Sequence, residues 1–374
     1  MILSDVCEFI VDCPHSTAPD EGKGYPLIRT PNVGKGRLDL NGVHRVSESV
    51  YKQRIQRGAP QANDLIFARE APAGNVALVQ ENQTVCLGQR TVLIRPNVQK
   101  VNPQYLVYYL LSPKPQYELL GTANGATVAH VNLPAIRNLK IELPEKSVQD
   151  KIGTILVTYD DLIENNQKQI KLLEEAAQRL YKEWFVDLRF PGHENTKIVD
   201  GVPEGWSKTN INEILTFHRG YDLTKNEMKA GRYPVVGSTT VIGYHNEFKI
   251  NGPGIVTGRS GSLGKYQFIW DNFWPHNTSL YISDYKDHNI FFVYSLLQTV
   301  DFASLNNGGA IPTLNRNVLS NIEVIEPTDE LQEMFATITE AQYRKIRNLE
   351  KQNNQLKMAR DVLLPKLMSG EMEV

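Results

Sequence analysis

An internal duplication limits the possible folds of this chain more than any other feature. Residues 65–74, LIFAREAPAG, align with residues 255–264, IVTGRSGSLG, so that Arg69 pairs with Arg259 at an offset of 190. Further pairs follow in the same order: YLVYYLL at 105–111 with FFVYSLL at 291–297, and residues 124–144 with residues 307–327. Repeats in a fixed order favour two copies of one structural unit, and the drifting offset places insertions in surface loops.

Each copy is followed by a long segment whose apolar residues recur at alternating spacings of three and four. The first seam runs from Val148 to Trp184, and adding 183 to each position gives the second, from Leu331 to Leu367. Each covers about five heptads and, at about 1.5 Å per residue, roughly 55 Å, which favours a coiled coil over a surface helix. We expect these packing residues: Ile152, Ile155, Ile163, Ile170, Leu173, Leu180, Phe335, Ile338, Ile346, Leu349, Leu356 and Leu363.

Polar residues interrupt the seams at Asn166, Gln342, Asn353 and Arg360. Such residues cost stability but fix register and orientation. An antiparallel pair is the simpler geometry, because the first helix leads away from the first globular part and the second runs back. Packing of each stripe inside its own domain is the alternative, and two gap-free stripes of this length favour the pairing.

The fold class we predict is α+β, with two tandem mixed α/β globules, each followed by a long helix. The two helices are expected to form an antiparallel coiled coil with pseudo-twofold symmetry. Alternating patterns in residues 76–96 and 264–284 are typical of strands around a turn. The predicted segments are 1–146 and 190–327 for the globules and 147–189 and 328–374 for the helices.

Composition argues against several classes of protein. None of the apolar runs approaches the roughly 20 residues that a membrane helix needs. The N-terminus carries Asp5, Glu8 and Asp12 where a secretory signal has a positive start, so we expect a cytoplasmic protein. Three cysteines without CxxC spacing argue against a disulfide framework and structural zinc. The formal net charge is −2, so a nucleic-acid surface has to come from basic residues clustered within the globules.

Two short motifs suggest catalysis, and neither is complete. Asn102-Pro103-Gln104-Tyr105 is similar to the Asn/Asp-Pro-Pro-Tyr/Phe box that grips a flipped adenine in amino-methyltransferases, but a glutamine replaces the second proline. The same residues fit a helix start, with proline at the first helical position. Residues 258–265 have five residues between their glycines and a tyrosine after the lysine, so they fail the phosphate-loop pattern. We therefore assign no catalytic and no metal-binding residue.

Duplicated globules with two long helices resemble the specificity subunit of type I restriction-modification enzymes, over essentially the whole chain. The first half has no counterpart of the PEGW phrase in the second. The phrases that carry the resemblance are YPLIRTPNV at 25–33, LIFAREAPAG at 65–74, GQRTVLIRP at 88–96, GATVAHVNLPAIRNLKIELP at 125–144, DGVPEGW at 200–206, IVTGRSGSLGK at 255–265, NGGAIPTLNRNVLSNIEV at 307–324 and LLPKLMSGE at 363–371.

The resemblance implies a division of labour. This chain would be the non-catalytic recognition and scaffold subunit, without a cofactor of its own. Two methyltransferase subunits would bring S-adenosylmethionine, and restriction and translocation subunits would bring ATP and Mg²⁺. Each globule would be a target recognition domain that reads one half of a bipartite, asymmetric site in double-stranded DNA. The helix pair would set the gap between the halves and dock the methyltransferases.

Base reading needs side chains with paired donors and acceptors, while phosphate contacts only position the protein. Polar side chains in turns beside strand-like runs are our candidates for DNA contact, with solvated or capping roles as the alternative for each. The candidates are Arg29, Thr30, Asn32, Arg69, Gln89 and Arg90 in the first globule and Arg219, Tyr221, Ser238, Arg259, Ser260, Lys265, His276 and Asn277 in the second. Arg69 and Arg259 occur in both copies, which favours a phosphate or structural role over base reading.

Two other functions remain open at the level of the sequence. A stand-alone N6-adenine DNA methyltransferase would use Asn102 and Tyr105, and the purified chain would then transfer methyl groups by itself. A coiled-coil interaction scaffold without DNA specificity would select no motif from random DNA sites. The duplication and the ordered phrases favour the recognition subunit over both.

Overall fold

The chain forms two compact units. The computed structural model describes residues 1–121, 130–259, 264–300 and 322–374. The first unit consists of Met1–Gln167 and Glu350–Val374, and the second of Lys168–Leu349. This division passes through both long helices, whereas the sequence predicted boundaries at their ends. Each unit is therefore a globule together with a segment of each helix.

Short strands and short helices build the globule of the first unit. The strands are β1 (Cys7–Asp12), β2 (Tyr25–Ile28), β3 (Gly36–Arg37), β4 (Arg45–Val46), β5 (Leu65–Ala68), β6 (Val76–Leu78), β7 (Cys86–Leu87) and β8 (Thr91–Pro96). The helices are α1 (Glu48–Arg54), α2 (Pro103–Leu111), α3 (Pro113–Gly121) and α4 (Leu133–Arg137), with 3-10 turns at Leu3–Val6 and Thr30–Asn32.

These strands form two sheets that share a core. In the sheet of order β1-β8-β5-β6-β3, neighbouring strands are antiparallel except β6 and β3, which are parallel. In the sheet of order β4-β2-β7, β2 is antiparallel to β4 and parallel to β7. Leu65 and Phe67 of β5 join the core that includes α2, while Ile66 and Ala68 join the apolar cluster that includes residues of β2 and β7. Burial of both faces explains the continuous apolar run of β5.

Strands of the second unit are more numerous and mostly short. They are β9 (Ile198–Val199), β10 (Val202–Pro203), β11 (Ser207–Asn210), β12 (Thr216–Arg219), β13 (Tyr233–Val236), β14 (Val241–His245), β15 (Gly254–Gly258), β16 (Tyr266–Ile269), β17 (Trp274–Pro275), β18 (Ser279–Asp284) and β19 (Glu323–Glu326). The short helices are α6 (Ile211–Ile214) and α7 (Ile290–Thr299), with a 3-10 turn at His193–Asn195.

Sheet topology repeats between the two units. The order β12-β18-β15-β16 is antiparallel throughout and matches β1-β8-β5-β6. The order β14-β13-β17 matches β4-β2-β7, with the same antiparallel and parallel pairings. Two-stranded pairs β9–β10 and β11–β19 complete the described strands of the second unit. The predicted duplication is therefore confirmed at the level of strand order.

Two long helices follow the globules. The first, α5 (Lys146–Tyr181), continues into a π-helical turn at Lys182–Val186, and the second is α8 (Asp329–Ser369). The same hydrogen bond occurs at the start of both helices, where the side-chain amide of a glutamine donates to the carbonyl of the proline five residues earlier. The Nε2–O distances are 2.8 Å for Gln149 and 2.9 Å for Gln332. None of the helices in the described ranges combines the length and apolar character that crossing a membrane requires.

Within the first unit, α5 and α8 contact each other in opposite directions. Asn166 Nδ2 donates to Asn353 Oδ1 at 3.0 Å, and both side chains are buried. One turn and a half earlier in α5, the buried Asp160 pairs with Arg360, which lies later in α8. Lower residue numbers in one helix thus meet higher numbers in the other, which is an antiparallel arrangement. Both polar pairs involve seam positions that the sequence marked as register-fixing.

The helix segments of the second unit also pack together. The rings of Tyr181 and Phe335 meet edge to face, with centroids 5.7 Å apart. Four residues earlier in α5, Ala177 shares an apolar cluster with Tyr343 and Ile346 of α8. The direction is again antiparallel. Supercoiling and pseudo-twofold symmetry of the pair remain predictions.

Burial divides the predicted packing residues into three groups. Ile152, Ile163, Phe335, Ile346 and Leu349 are buried. Half-buried residues are Ile155, Ile170, Leu173, Leu180, Leu356 and Leu363. The prediction for Ile338 is wrong, because its side chain is 43% exposed and the adjacent Thr339 is fully buried.

Ile338 is exposed because α8 buries a different face from the one that the heptad pattern predicts. Phe335 packs among the rings of Tyr181, Trp184 and Phe185, so α8 turns the face of Phe335 and Thr339 inward at a spacing of four. In α5, the fully buried Leu156 was missed for a related reason. It belongs to the globular core of the first unit, so α5 packs on the globule as well as on α8. The heptad pattern considered only the contact between the two helices, so it missed the face of α5 that packs on the globule.

Candidate nucleic-acid interface

Loops at one end of the two sheets meet in the first unit. We define the first loop cluster as residues 29–32, 69–72 and 88–90. Its segments are tied by backbone hydrogen bonds, from Gly88 N to Ile28 O at 2.7 Å and from Arg69 N to Arg90 O at 2.9 Å. The six candidates of the first globule therefore lie in one cluster, as contact with a single stretch of DNA requires.

A chain of charged and polar side chains, which we call the charge chain, runs through the first loop cluster. Arg90 Nη1 pairs with Glu70, and the other carboxylate oxygen of Glu70 contacts His130 Nδ1. His130 Nε2 lies 2.8 Å from Arg69 Nη2, and Arg69 Nη1 donates to Asp12 at 2.8 Å. Because an arginine nitrogen can only donate, His130 Nε2 accepts and its Nδ1 carries the proton that it donates to Glu70. The chain runs from an exposed arginine to a buried one.

Three candidates of the first globule serve the fold. Arg69 is 9% exposed and spends all three guanidinium nitrogens inside the unit, since its Nε donates to Val131 O at 2.9 Å. Asn32 is 7% exposed, accepts from Arg29 N at 3.1 Å and donates to Asp39 O at 3.2 Å. The buried Thr30 hydroxyl donates to the Ala71 carbonyl. These side chains hold the loops, so we assign them the structural alternative instead of DNA contact.

The other candidates of the first globule reach the surface. The Arg90 side chain is 61% exposed. Gln89 is half-buried and donates to the carbonyl of His15 at 2.9 Å. Arg29 is half-buried beside Gly88, where an added Cβ would come within 2.8 Å of the arginine Cγ. Glycine at position 88 therefore makes room for Arg29.

The second unit builds the same cluster with different side chains. We define the second loop cluster as residues 219–222, 237–238, 259 and 276–278. The two ties recur, from His276 N to Val236 O at 2.9 Å and from Arg259 N to Thr278 O at 3.1 Å. These bonds make His276 the counterpart of Gly88 and Thr278 the counterpart of Arg90. Gly237 follows β13 at the position where Arg29 follows β2. The first unit therefore has a large residue after β2 and a glycine, Gly88, opposite it, while the second unit has a glycine after β13 and the larger His276 opposite it.

Polar contacts order the second loop cluster. His276 Nε2 lies 3.2 Å from the Leu223 carbonyl, and its Nδ1 lies 2.9 Å from the Thr278 hydroxyl. Ser238 Oγ donates to Thr278 O at 2.8 Å. Asn277 Nδ2 donates to Asp222. Hydrogen bonds within the unit therefore fix the orientation of the His276, Ser238 and Asn277 side chains.

One position at the centre of the cluster changes from an acid in the first unit to a base in the second. Asp12 lies opposite Val92 at the end of β1, and Arg219 lies opposite Leu280 at the equivalent place in β12. In the first unit the acid neutralises Arg69. In the second unit Arg219 replaces the acid, and its Nη2 lies 3.8 Å from the Asp222 carboxylate. The Arg259 side chain has no hydrogen-bond or ion-pair partner among the described residues. Two cations therefore occur where the first unit has an internal ion pair.

Of the remaining candidates in the described ranges, Tyr221 belongs to the second loop cluster and Lys265 lies outside it. Tyr221 is half-buried, its hydroxyl lies 3.0 Å from that of Tyr281, and its ring stacks on His218. Lys265 is exposed at the start of β16. Ser260 lies outside the described residues. Lys249, which the sequence did not single out, places its Nζ over the rings of Trp274 and Tyr221, 4.7 and 5.9 Å from their centroids.

Glu70 and His130 are further residues that sequence reasoning missed. Glu70 directly follows Arg69 in the repeated loop, so its position gave a usable signal. His130 lies 60 residues later and reaches the cluster only through the fold. Within the described ranges, no group of three histidine, cysteine, aspartate or glutamate side chains is arranged to hold a metal ion.

The methyltransferase-like box has a structural role. The Asn102 side chain caps α2 by accepting from Tyr105 N at 3.1 Å, and its Nδ2 donates to Asp150 at 2.6 Å. Asn289 caps α7 in the same way, accepting from Phe291 N at 3.0 Å. Tyr105 is 1% exposed and belongs to the core. The box therefore starts a helix that both units share.

Comparison with known proteins agrees with the repeated architecture. The family model for the type I restriction modification DNA specificity domain matches this chain twice, at residues 1–175 and 203–358. The chain belongs to the type I restriction-modification DNA specificity family. It is a DNA-recognition component, and members of this family do not carry the catalytic machinery of the enzyme.

Individual members of the specificity family show the same relation. The type I restriction enzyme MjaIX specificity subunit of Methanocaldococcus jannaschii is 27% identical over 364 residues, covering 89% of this chain and 83% of the relative. The EcoBI specificity subunit of Escherichia coli is 26% identical over 174 residues, covering 43% of this chain and 36% of the relative. The crystal structure of the S subunit from M. genitalium has a TM-score of 0.62 at 18% identity, covering 98% of this chain and 95% of that one, which supports the fold.

Proposed function

We propose that this specificity subunit reads a bipartite, asymmetric site in double-stranded DNA, with one loop cluster for each half. The observation that carries the proposal is a shared framework with different side chains. The same strand order and the same two backbone ties hold Arg29, Gly88 and Arg90 in one unit and Gly237, His276 and Thr278 in the other. Different donors on equal frameworks read different bases, so the two half-sites differ.

The long helices supply the spacing in this proposal. Rigid spacers fix the separation of half-sites in two-headed DNA-binding proteins. Antiparallel contacts within each unit, and the buried asparagine pair in particular, support a fixed register of α5 against α8. The exposed faces of these helices dock methyltransferase subunits, two in number if the duplication is used symmetrically.

The chemistry belongs to partner subunits. We assign S-adenosylmethionine to the methyltransferase subunits, and ATP and Mg²⁺ to restriction and translocation subunits. The complex acts on cellular DNA, so we place it in the cytoplasm.

Co-expression tests the proposal. The chain is produced with its partner methyltransferase subunit in a host without adenine methylation, and methylated adenines are mapped across the genome. A two-part motif with unlike halves and a fixed gap supports the proposal. A continuous or palindromic motif, or methyl transfer by the purified chain alone, contradicts it.

A further inference from the structure

Of the three arginines in the first loop cluster, all of which lie in the described ranges, only Arg90 combines the following three features. Its side chain is 61% exposed. Its backbone is left-handed, with φ of 64°, which is rare for a residue other than glycine, asparagine or aspartate. Its carbonyl is fixed by the hydrogen bond from Arg69 N. Strained backbone that the surroundings hold in place is typical of functional positions.

The charge chain orients the Arg90 guanidinium. Glu70 takes only Nη1, and the other two nitrogens of Arg90 have no partner among the described residues. Glu70 is 13% exposed and cannot swing away, because His130 holds its second oxygen. Arg69 in turn holds His130 and is anchored by Asp12 and the Val131 carbonyl. The network holds Nη1 and leaves Nε and Nη2 of an exposed arginine without a partner among the described residues.

A free arginine edge matches guanine. Guanine presents O6 and N7 in the major groove, and an arginine fork binds both at once. The counterpart of Arg90 in the second unit is Thr278, so the framework keeps the position and changes the side chain. Residues that only bind phosphate carry no sequence information and are expected to be kept in both units, whereas the side chain at this position changes.

Resting on the proposed function, we propose that Arg90 reads a guanine in the half-site of the first unit and that Glu70 is its positioning residue. The wild-type half-site then contains a G·C pair whose identity depends on Arg90. Glu70 acts through the orientation of Arg90 and does not touch the base.

The test compares methylation motifs of the whole complex carrying R90A, R90K, E70Q or the control K114A. Lys114 matches Arg90 as an exposed cation in a carboxylate pair, with its side chain 59% exposed beside Glu142, but it lies outside the loop cluster. R90A is expected to lower the preference for one G·C pair by about ten-fold, in one half-site only. R90K is expected to do the same, because lysine keeps the charge and loses the fork.

The remaining variants separate reading from folding. E70Q is expected to relax the same single position by a smaller factor with an unchanged melting temperature, a readout that a purely structural role does not produce. K114A is expected to keep the wild-type motif. The assignment is overturned by a first half-site without guanine, by an unchanged motif in R90A, by R90K behaving as wild type, or by weakening at all positions alike. A wild-type complex without a two-part motif overturns the proposed function itself, which distinguishes the two failures.

Discussion

The asparagine pair between the long helices allows a quantitative test of how they pack. Asn166 and Asn353 are 8% and 6% exposed, and their amides are joined by one hydrogen bond of 3.0 Å. Changing either residue to alanine leaves the other amide buried without its partner. An unsatisfied buried polar group costs about 1–3 kcal/mol, and the gain in helix propensity from asparagine to alanine returns roughly 0.6 kcal/mol. Each single variant is therefore expected to lose about 1–2 kcal/mol of unfolding free energy.

The double variant is expected to lose much less than the sum of the singles. Removing both amides gives up the net hydrogen bond of about 1 kcal/mol and leaves no orphaned group, while the two alanines improve helix propensity. N166A/N353A should then stay within about 1 kcal/mol of the wild type. The coupling between the positions comes to about 2 kcal/mol, which is within the range for residues in contact.

Equilibrium urea unfolding, followed by helical circular dichroism, measures this coupling. The matched control is N165A/N354A, because these asparagines are the adjacent residues and both are exposed. Their effects should add within about 0.5 kcal/mol. Additive losses for N166A and N353A would falsify the antiparallel register, because the two amides could not then meet.

Three further predictions follow from burial and charge. L156A should lower the free energy of unfolding in urea by about 2–5 kcal/mol, because the Leu156 side chain is fully buried. L172A should lower it by less than about 0.5 kcal/mol, because Leu172 is 65% exposed. Equal losses would contradict the packing of α5. R259A should weaken DNA binding regardless of sequence and lower the salt slope by about one, and an unchanged slope in a titration would refute the phosphate role. Burial raises the pKa of Cys7 to about 12 and that of Cys86 to about 11. A thiol reagent at pH 8 should therefore label these cysteines at least about ten-fold more slowly in the folded chain than in the urea-unfolded chain. Equal labelling rates would count against this burial.

Repetition made much of the fold predictable. The aligned phrases predicted two copies of one unit, and the heptads predicted helices close to the observed α5 and α8. Such patterns can be recognised in a sequence because every repeat places an apolar residue at the same buried position. Ile338 shows the limit of the method. A seam of threes and fours assumes one partner surface, and α8 instead turns Thr339 inward beside the aromatic residues around Phe335.

The sequence predicted candidate residues that group together in the fold, and their contact with DNA stays a prediction. Polar residues in turns beside strands did identify two loop clusters. Which of them face solvent depends on long-range contacts. For Arg69 the sequence left a phosphate role and a structural role open, and only the fold brings Asp12, His130 and Val131 around it. The equivalent Arg259 has Arg219 in place of the acid, so identical residues in the repeat have different surroundings.

The methylation motif of a complex that carries H276A and N277A tests most directly whether each loop cluster reads its own half-site. Both residues lie in the second loop cluster, and their counterparts in the first are left unchanged. We predict altered base preferences in one half-site, with the other half and the length of the gap as in the wild type. Changes spread over both halves, or a motif identical to the wild type, would contradict two separate readers on one chain.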